Sequence, residues 1–249
     1  AGLYDQGALY GTLMKNQMAD VFSNSFLLEL CNDTCVDKTG IDYVKISNNR
    51  NKEFCIYTTI SDGYACVTKQ PLYQEGKAHL EKMTCAKEFH PMLRLIESDY
   101  KEECLQMPFV KGKTMRKYLE ELAANNETDE IWRFLGLFRE GFYSDLPLKN
   151  EPSMEFTKIF GDLTCNQELH WVSGVEVDLI ADNIFLTEDK WTYIDNEWTF
   201  DFEIPAEYVL WRTLSQLCDS SLLGNIITPE SIDEFINISE NTASVFVAW

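Results

Sequence analysis

Three polar residues in the second half of the chain have the types and spacing of a cation site. Asp178 and Asn183 lie five residues apart, and Asp195 follows at the end of the apolar run Tyr193-Ile194. A carboxylate that ends an apolar strand is placed where a cleft can form, and carboxylate and amide oxygens are ligands that Mg²⁺ accepts. The pattern therefore predicts a site for a hard divalent cation, although the same residue types also cap turns and helices.

Lys69 is the candidate for a positive charge at such a site. It shares one face of a predicted strand with Ala65 and Val67, because side chains alternate along a strand. Lysine is rarely buried without a partner. Lys69 therefore either extends to water at the strand end or binds a phosphate while a helix carboxylate holds it, and the sequence leaves both interpretations open.

The first half of the chain is predicted to be rich in strands. Two β-rich runs, 54–60 and 64–69, flank the turn Ser61-Asp62-Gly63, which is the pattern of a β-hairpin. Pro71 ends the second run. The other elements predicted here are a helix over 7–22, strands over 25–30, 43–47 and 102–110, and a helix over about 74–89 that stops at His90-Pro91.

The second half is predicted to be mostly helical. Thr114 and Thr128 are the expected N-caps of helices over 114–124 and 128–143. Two short strands follow at about 183–187 and 191–195, and helix returns after Pro205. We therefore expect an α+β, two-lobed chain: an N-terminal lobe over 1–107, a hinge over 108–112 and a C-terminal lobe over 113–249. The apolar face of the second helix is expected to hold Ile131, Phe134, Leu135 and Phe138.

Composition excludes several classes of function. The 249 residues carry a net charge of −20, and 45% of them are hydrophobic. Because nucleic acids and anionic membranes bind cationic surfaces, neither is an expected partner. No apolar stretch approaches the ~20 residues that span a bilayer, so no transmembrane segment is expected. A phosphate would have to be bound locally, by a few placed cations or amides.

The cysteines and the first residues bear on the compartment. The start Ala1-Gly2-Leu3-Tyr4-Asp5 has no basic or long apolar region, so no signal peptide is expected. The missing initiator Met suggests an excised domain or a tagged chain. Eight cysteines are scattered, and the single C-x3-C formed by Cys31 and Cys35 has no second pair, so zinc is not favoured. We expect reduced thiols and a cytoplasmic location.

As a set, these motifs resemble a known family. The order of Lys69, a helix carboxylate, a hinge-like segment, and then Asp178, Asn183 and Asp195 resembles the protein-kinase-like fold. It is more similar to the small-molecule branch, the aminoglycoside and choline kinases. That branch has Asp-x-Glu where protein kinases have Asp-Phe-Gly, and here the triplet is Asp195-Asn196-Glu197. The resemblance covers about residues 43–215.

A narrower resemblance concerns the region after the metal residues. The run 195–200, with Ile204-Pro205 and 209–214, is similar to kinase modules found with methyltransferases or glycosyltransferases in bacterial surface-polysaccharide (O-antigen) synthesis. This implies a saccharide acceptor and a fused or neighbouring methyltransferase or glycosyltransferase as partner.

The resemblance implies an ATP- and Mg²⁺-dependent kinase with defined residue roles. Lys69 would contact the α- and β-phosphates and pair with Glu81 in the next helix, with Glu75 and Glu88 as alternatives. Asp178 would accept or orient the proton of the attacking hydroxyl. The remaining implied roles are Val67 over the adenine, the backbone from Pro108 through Phe109 to Lys111 along its edge, Arg50 near the phosphates, and Asn183, Asp195 and Glu197 as metal ligands.

Two features depart from the family pattern. Glu176 and Val177, rather than His and Arg, precede Asp178. The turn expected over the phosphates, 47–51, reads Ser-Asn-Asn-Arg-Asn and has no glycine. Asn tolerates tight turns, and Arg50 could supply the charge that glycine amides would otherwise replace.

The acceptor can be bounded, and two other functions compete with a kinase. The stretch from Asp195 to Trp249 is shorter than the roughly hundred residues of a peptide-binding platform, so a peptide acceptor is disfavoured. The aromatic residues near and after Asp195 either form core or stack on a sugar ring. The alternatives are a pseudokinase that binds nucleotide without turnover, and a metal-dependent hydrolase built on Asp178, Asp195 and Glu197. The aromatic set is Trp191, Trp198, Phe200, Phe202, Tyr208 and Trp211.

Overall fold

The first sheet is built around the Asp-Gly hairpin. In the computed structural model, β2 (Ile56–Ser61) pairs antiparallel with β3 (Cys66–Pro71), and Lys69 lies opposite Thr58. Asp62, Gly63 and Tyr64 have φ angles of 58°, 66° and 60°. Asp and Gly adopt this left-handed region more readily than other residues, which explains why the chain reverses here. The predicted hairpin, and its end at Pro71, are confirmed.

The structure describes residues 40–86, 88–163, 167–187 and 191–249. The predicted helix over 7–22, the predicted strand over 25–30, and Cys31 and Cys35 lie outside these ranges. From Ile41 onward the chain forms one compact unit.

The five-stranded sheet has the order β1-β2-β3-β6-β5. A 3₁₀ turn, Gln74–Gly76, leads into helix α1, which packs on this sheet. A small core forms there from Ile56, Leu80, Met83, Leu105 and Met107. The added elements are β1 (Ile41–Ser47), β5 (Asp99–Lys101), β6 (Cys104–Pro108) and α1 (Lys77–Thr84).

Two predictions in this region need correction. The helix expected over 74–89 is shorter than predicted and covers Lys77–Thr84. Residues Gln74–Gly76 form a 3₁₀ turn in front of it. The strand expected over 102–110 begins later, because Glu102 and Glu103 have positive φ and form the turn between β5 and β6.

Two smaller sheets and most of the helices follow. The sheet of order β4-β11-β10-β7 contains β4 (Leu93–Leu95), β7 (Lys113–Thr114), β10 (Ile184–Leu186) and β11 (Trp191–Tyr193). The sheet of order β12-β9-β8 contains β8 (Leu148–Lys149), β9 (Leu169–Ser173) and β12 (Glu203–Pro205). The helices are α2 (Met115–Ala124), α3 (Thr128–Tyr143), α4 (Met154–Phe160), α5 (Ala206–Ser215), α6 (Pro229–Ile236) and α7 (Glu240–Ala248).

Of the two predicted helix N-caps, one is found in the structure and the other is not. The side chain of Thr114 accepts a hydrogen bond from the backbone amide of Lys117 at 3.2 Å and caps α2, as predicted. Helix α3 covers the predicted residues, but its N-cap is Glu127, and Thr128 is already helical. Its buried face contains Phe142 in addition to Ile131, Leu135 and Phe138, while Phe134 is only partly buried.

The mixed α+β class, with a sheet in the first part and mainly helices in the second, is confirmed. A large hydrophobic core, which includes Phe138, Trp171 and Tyr193, joins the helices to the two smaller sheets. Within the described ranges, no helix has the length and apolar character needed to cross a membrane. Five cysteines there are free thiols: Cys55, Cys66, Cys85, Cys104 and Cys218.

Candidate active site

A cavity of about 710 Å³, here termed the main cleft, brings together residues from both parts of the chain. The first sheet contributes Val67 and Lys69, and the loops around β10 and β11 contribute Asp178, Asn183 and Asp195. These residues are far apart in sequence, and only the packing of the two parts places them around one space. The predicted residues Arg50, Phe109 and Glu197 also line it.

The β10–β11 hairpin explains why Asn183 and Asp195 meet. Ile184 lies opposite Tyr193, and the amide of Ile194 donates to the carbonyl of Asn183 at 3.0 Å. Asn183 and Asp195 therefore flank the open end of one hairpin. Asp195 has a φ of 66°, a left-handed conformation that Asp tolerates and that is often found at functional sites.

Lys69 is buried, with 5% of its surface exposed. Its ammonium group donates to Asp195 Oδ1 and, at 3.1 Å, to Glu197 Oε1. Burial alone would lower the pKa of Lys69, but the two carboxylates outweigh it and raise the pKa above its ordinary value. Lys69 thus remains a cation inside the main cleft.

The predicted pair between Lys69 and Glu81 is not formed. Helix α1 buries His79, Leu80 and Met83, and Glu81 lies on the opposite, exposed side. Glu75 and Glu88, the alternatives, are exposed as well. The carboxylate beside Lys69 comes instead from Glu197, in the loop after β11.

Glu197 is a buried carboxylate surrounded by basic groups, with 7% of its side chain exposed. Arg50 Nη1 lies 2.5 Å from Oε2, Lys69 Nζ lies 3.1 Å from Oε1, and His79 Nε2 lies 3.7 Å from Oε2. Burial favours the neutral acid, but the neighbouring His79 ring and the charges of Lys69 and Arg50 hold the pKa of Glu197 well below its ordinary value. The group is therefore ionised at neutral pH.

Asp178 is held from two sides. Arg212 donates to Asp178 Oδ1 and, through Nε, to the carbonyl of Val177 at 3.1 Å. Asn183 Nδ2 donates to the backbone carbonyl of Asp178 at 3.2 Å. About a third of the Asp178 side chain (36%) stays exposed, so the carboxylate is oriented but still accessible from the cavity.

Glu176 connects the Asp178 loop to the segment after Asp195. It is fully buried, and its carboxylate accepts hydrogen bonds from the amides of Asp178 at 2.8 Å and Trp198 at 2.9 Å, and from Thr199 Oγ1 at 3.2 Å. Burial nevertheless raises the pKa of Glu176 from 4.5 to about 8. This departure from the family pattern is thus a structural link between the two loops.

The raised pKa of Glu176 predicts a specific dependence of stability on pH. Between pH 4.5 and about 8 the folded protein retains a proton that the unfolded chain has lost, so stability falls as pH rises through that window. We expect this group to contribute a slope of up to about 1.4 kcal/mol per pH unit.

Chemical denaturation of the wild type and of Glu176→Gln at about pH 5 and pH 8 tests this. Gln cannot titrate, so the stability of the wild type relative to that of Glu176→Gln should fall as pH rises. Parallel pH curves for the two proteins would show that Glu176 is ionised throughout.

A second cavity, here termed the side cavity, opens next to Asp178. It has a volume of about 360 Å³ and is lined by Asp178 and Arg212 together with aromatic side chains. The aromatic lining includes Trp198, Phe200, Tyr208 and Trp249. Asp178 and Trp198 also line the main cleft, so the two cavities meet at Asp178.

Not every predicted contact residue reaches the main cleft. Lys111 is exposed and is not among the lining residues. The amide of Phe109 already donates to the carbonyl of Ala65 at 3.0 Å. Of the stretch 108–111, the side chains of Pro108, Phe109 and Val110 face the cavity.

The donor set of Asn183 and Asp195 fits a magnesium ion. Both residues line the cleft and carry a side-chain oxygen, and the Asp195 side chain is 36% exposed. Mg²⁺ usually takes one or two protein ligands and completes its shell with phosphates and water. Glu197 fits less well because its oxygens face Arg50 and Lys69. Within the described residues, no group of three or more His, Cys, Asp or Glu side chains could hold a metal ion.

Sequence reasoning missed several residues of the site. Arg212 is 34 positions from Asp178, and nothing local relates the two. His79 lies beside Glu197, and nothing in the sequence around it indicates this contact. Asn196, between two predicted ligands, donates to the carbonyl of Met83 at 2.7 Å. Only Glu176 had a signal, since it occupies a position where the family pattern has another residue.

Comparisons with known proteins complete the description. No family model matches the chain, and a search of curated proteins finds no significant match. Among solved structures, the chain is similar to APH(2″)-IIa in a ternary complex with streptomycin and ATP, with a TM-score of 0.45, 11% identity, and coverage of 99% of this chain and 87% of that one.

Two further solved structures are similar to the chain at comparably low sequence identity. Ethanolamine kinase from Plasmodium vivax has a TM-score of 0.40, 9% identity, and coverage of 99% of this chain and 84% of that one. Macrolide 2′-phosphotransferase MphH from Brachybacterium faecium has a TM-score of 0.37, 10% identity, and coverage of 82% and 81%. All three TM-scores are below 0.5, so the function of this site has to follow from its own geometry.

Proposed function

We propose that the protein is an ATP- and Mg²⁺-dependent phosphotransferase that acts on a hydroxyl group of a small molecule or saccharide. The observation that carries this proposal is the position of Asp178 where two cavities meet. The larger cavity contains a buried lysine and two oxygen ligands for a cation. The smaller one leaves room for an acceptor whose hydroxyl would approach Asp178.

The main cleft suits a nucleotide. Val67 and the residues of the 108–110 stretch provide apolar surface for a base, and the backbone amide of Val110 is a candidate to hydrogen-bond its edge. Lys69 and Arg50 are the cations available to the phosphates. Because Lys69 lies opposite Thr58 in the sheet, its ammonium group is held by regular structure rather than by a loop.

The charge of the main cleft supports a requirement for a divalent cation. Its lining includes three basic side chains, Lys45, Arg50 and Lys69, against four carboxylates, Asp178, Asp182, Asp195 and Glu197. A nucleotide would add further negative charge to a region that is already slightly acidic. Mg²⁺ held by Asn183 and Asp195 would neutralise charge on the phosphates.

The chain's own groups account for the remaining chemistry. The acceptor oxygen would attack the γ-phosphorus while its proton passes to the Asp178 carboxylate, and the bond between the γ-phosphorus and the bridging oxygen would break to release ADP. Arg212 fixes the orientation of Asp178. Glu176 holds the two loops at a constant spacing, so positioning supplies most of the catalysis.

The side cavity favours a ring-shaped acceptor. Its volume of about 360 Å³ and its aromatic lining suit a sugar ring, since the faces of sugars stack on aromatic side chains. A saccharide acceptor agrees with a role in bacterial surface-polysaccharide synthesis, in the cytoplasm, beside a methyltransferase or glycosyltransferase. The division of the chain into two lobes with a hinge at 108–112 belongs to the same proposal.

A pseudokinase is the second candidate, and one observation favours it. Arg50, which stands where the family has a glycine-rich loop, is already paired with Glu197 at 2.5 Å. The loop over the phosphates is therefore engaged with the protein itself. In this case the protein would bind nucleotide but transfer no phosphate.

Thermal unfolding and ATP turnover separate these functions. A kinase should gain thermal stability from ATP or ADP, more so with Mg²⁺ than with EDTA, and should consume ATP when saccharides are added. Binding without turnover on any acceptor would favour the pseudokinase. An unfolding temperature that does not respond to nucleotide would argue against both.

A further inference from the structure

We infer that Glu197 is a positioning residue for Lys69 and not a metal ligand. This inference rests on the proposed function, because it assigns a role within the nucleotide site. It gives Glu197 the part that a carboxylate of helix α1 was expected to play. The position in the Asp-x-Glu triplet would by itself have suggested a metal ligand.

The contacts of the two carboxylates differ. Both oxygens of Glu197 face nitrogen atoms: Oε1 lies 3.1 Å from Lys69 Nζ, and Oε2 lies 2.5 Å from Arg50 Nη1. Its side chain is 7% exposed, whereas that of Asp195 is 36% exposed. A cation that approached from the cavity would reach Asp195 first, and it would have to displace two basic side chains to reach Glu197.

Helix α1 supports Glu197 through His79. The His79 ring is buried, lies 5.2 Å from the Phe54 ring and 5.6 Å from the Trp198 ring, and directs Nε2 toward Glu197 Oε2 at 3.7 Å. This nitrogen has no hydrogen-bond partner within the described residues. The buried side of α1 therefore presents an imidazole where the family pattern predicts a carboxylate.

A second contact ties the same segment to the helix. Asn196 Nδ2 donates to the carbonyl of Met83, near the end of α1, at 2.7 Å. His79 and Met83 are four residues apart and so lie on one face of the helix. The segment 195–197 is thus hydrogen-bonded to α1 through Asn196 and lies beside the His79 ring through Glu197.

These contacts define what Glu197 does for Lys69. Two carboxylates share the ammonium group, which fixes it between the sheet and the Asp195 loop. The lysine is then already in place when a phosphate arrives, and less freedom is lost on binding. Asp195 keeps its exposed side for the cation.

Nucleotide affinity measured with and without Mg²⁺ tests this role. We expect Glu197→Gln to weaken ADP binding about tenfold in EDTA, as for loss of a charged hydrogen bond, and by a similar factor in Mg²⁺. Asp195→Asn should lose some ADP affinity in EDTA, because Asp195 also holds Lys69, and clearly more in Mg²⁺, because it also faces the cation. The matched control is Glu81→Gln, on the exposed side of α1, which should bind ADP within about twofold of the wild type.

The loss of ADP affinity caused by Glu197→Gln should also depend on Lys69. If Glu197 acts through the lysine, Glu197→Gln should cause no further loss of ADP affinity in EDTA when it is added to Lys69→Met. A defect that appears only with Mg²⁺ would make Glu197 a metal ligand and overturn the inference. An equal additional loss in the Lys69→Met background would overturn it too, because it would indicate general loosening of the site.

A failure of the proposed function can be told apart from a failure of this inference. If the wild type binds no nucleotide in either buffer, the proposed function fails. The pairing of Lys69 with Glu197 is then tested in the nucleotide-free protein by a double-mutant cycle. The cycle compares the free energies of unfolding of the wild type, Lys69→Met, Glu197→Gln and the double variant. Coupled effects would support the pairing, and additive effects would overturn it.

Discussion

Asp178→Asn is expected to lower ATP turnover about 10²- to 10⁴-fold, the range typical for loss of a general base. The amide has the shape of the carboxylate and can still accept a hydrogen bond from Arg212, but it cannot take the proton of the acceptor hydroxyl. Nucleotide affinity should stay within about twofold, because Asp178 lies at the junction of the two cavities, and the ammonium group of Lys69 is held by Asp195 and Glu197. Steady-state kinetics and calorimetry measure the two quantities.

Asp201→Asn is the matched control for this prediction. Asp201 carries the same functional group, is exposed and lies outside the main cleft and the side cavity, so turnover should not change. If Asp178→Asn retains turnover near that of the wild type, Asp178 is not the base. A parallel loss of nucleotide affinity would instead indicate that the substitution has disturbed the loop held by Asn183 and Glu176.

The parts of the site that the sequence predicted are those set by local pattern. The Asp-Gly turn and the alternation of β3 place Val67 and Lys69 on one face, and the structure has both in the main cleft. The short strands after Asn183 and before Asp195 form one hairpin, which brings these residues together. In each case a few adjacent residues determine where the site residue lies, so the spacing in the sequence is enough to predict its position.

The partner of Lys69 could not be predicted in the same way. Three glutamates near α1 were equivalent by residue type, and the side that α1 buries depends on how it packs on the sheet. The actual partner, Glu197, is 128 positions away. The Arg212–Asp178 pair could not be predicted from local sequence either, because it depends on how α5 lies against the loop that precedes β10.

The packing of helix α1 also explains why the resemblance implied Glu81 as the partner of Lys69. A family pattern carries a role to a position only if the helix keeps the same face toward the sheet. Here His79 occupies the inward face, and the acid of the pair comes from the Asp-x-Glu triplet. Lys69 does meet a buried carboxylate, as the resemblance implies, but this carboxylate belongs to a different element.

Lys69→Met is expected to affect both catalysis and stability. Loss of the ammonium group removes one preorganised positive charge from the phosphate site, and turnover should fall about 10²- to 10³-fold, the range found when one stabilising donor is removed. Nucleotide affinity should fall as well, which distinguishes this variant from Asp178→Asn. Calorimetry in EDTA isolates the contribution of the lysine from that of the cation.

Stability should decrease because the substitution leaves two carboxylates without the charge between them. Breaking a buried ion pair from one side costs about 3–5 kcal/mol, and we expect a smaller value here because Arg50 still faces Glu197 and Asp195 is partly exposed. Lys82→Met, on the exposed side of α1, is the control and should match the wild type in unfolding and turnover. If Lys69→Met keeps full turnover and full stability, the buried ammonium group neither serves the phosphates nor joins the sheet to the Asp195 loop, and the cleft cannot work as a phosphotransfer site in the way derived from its geometry.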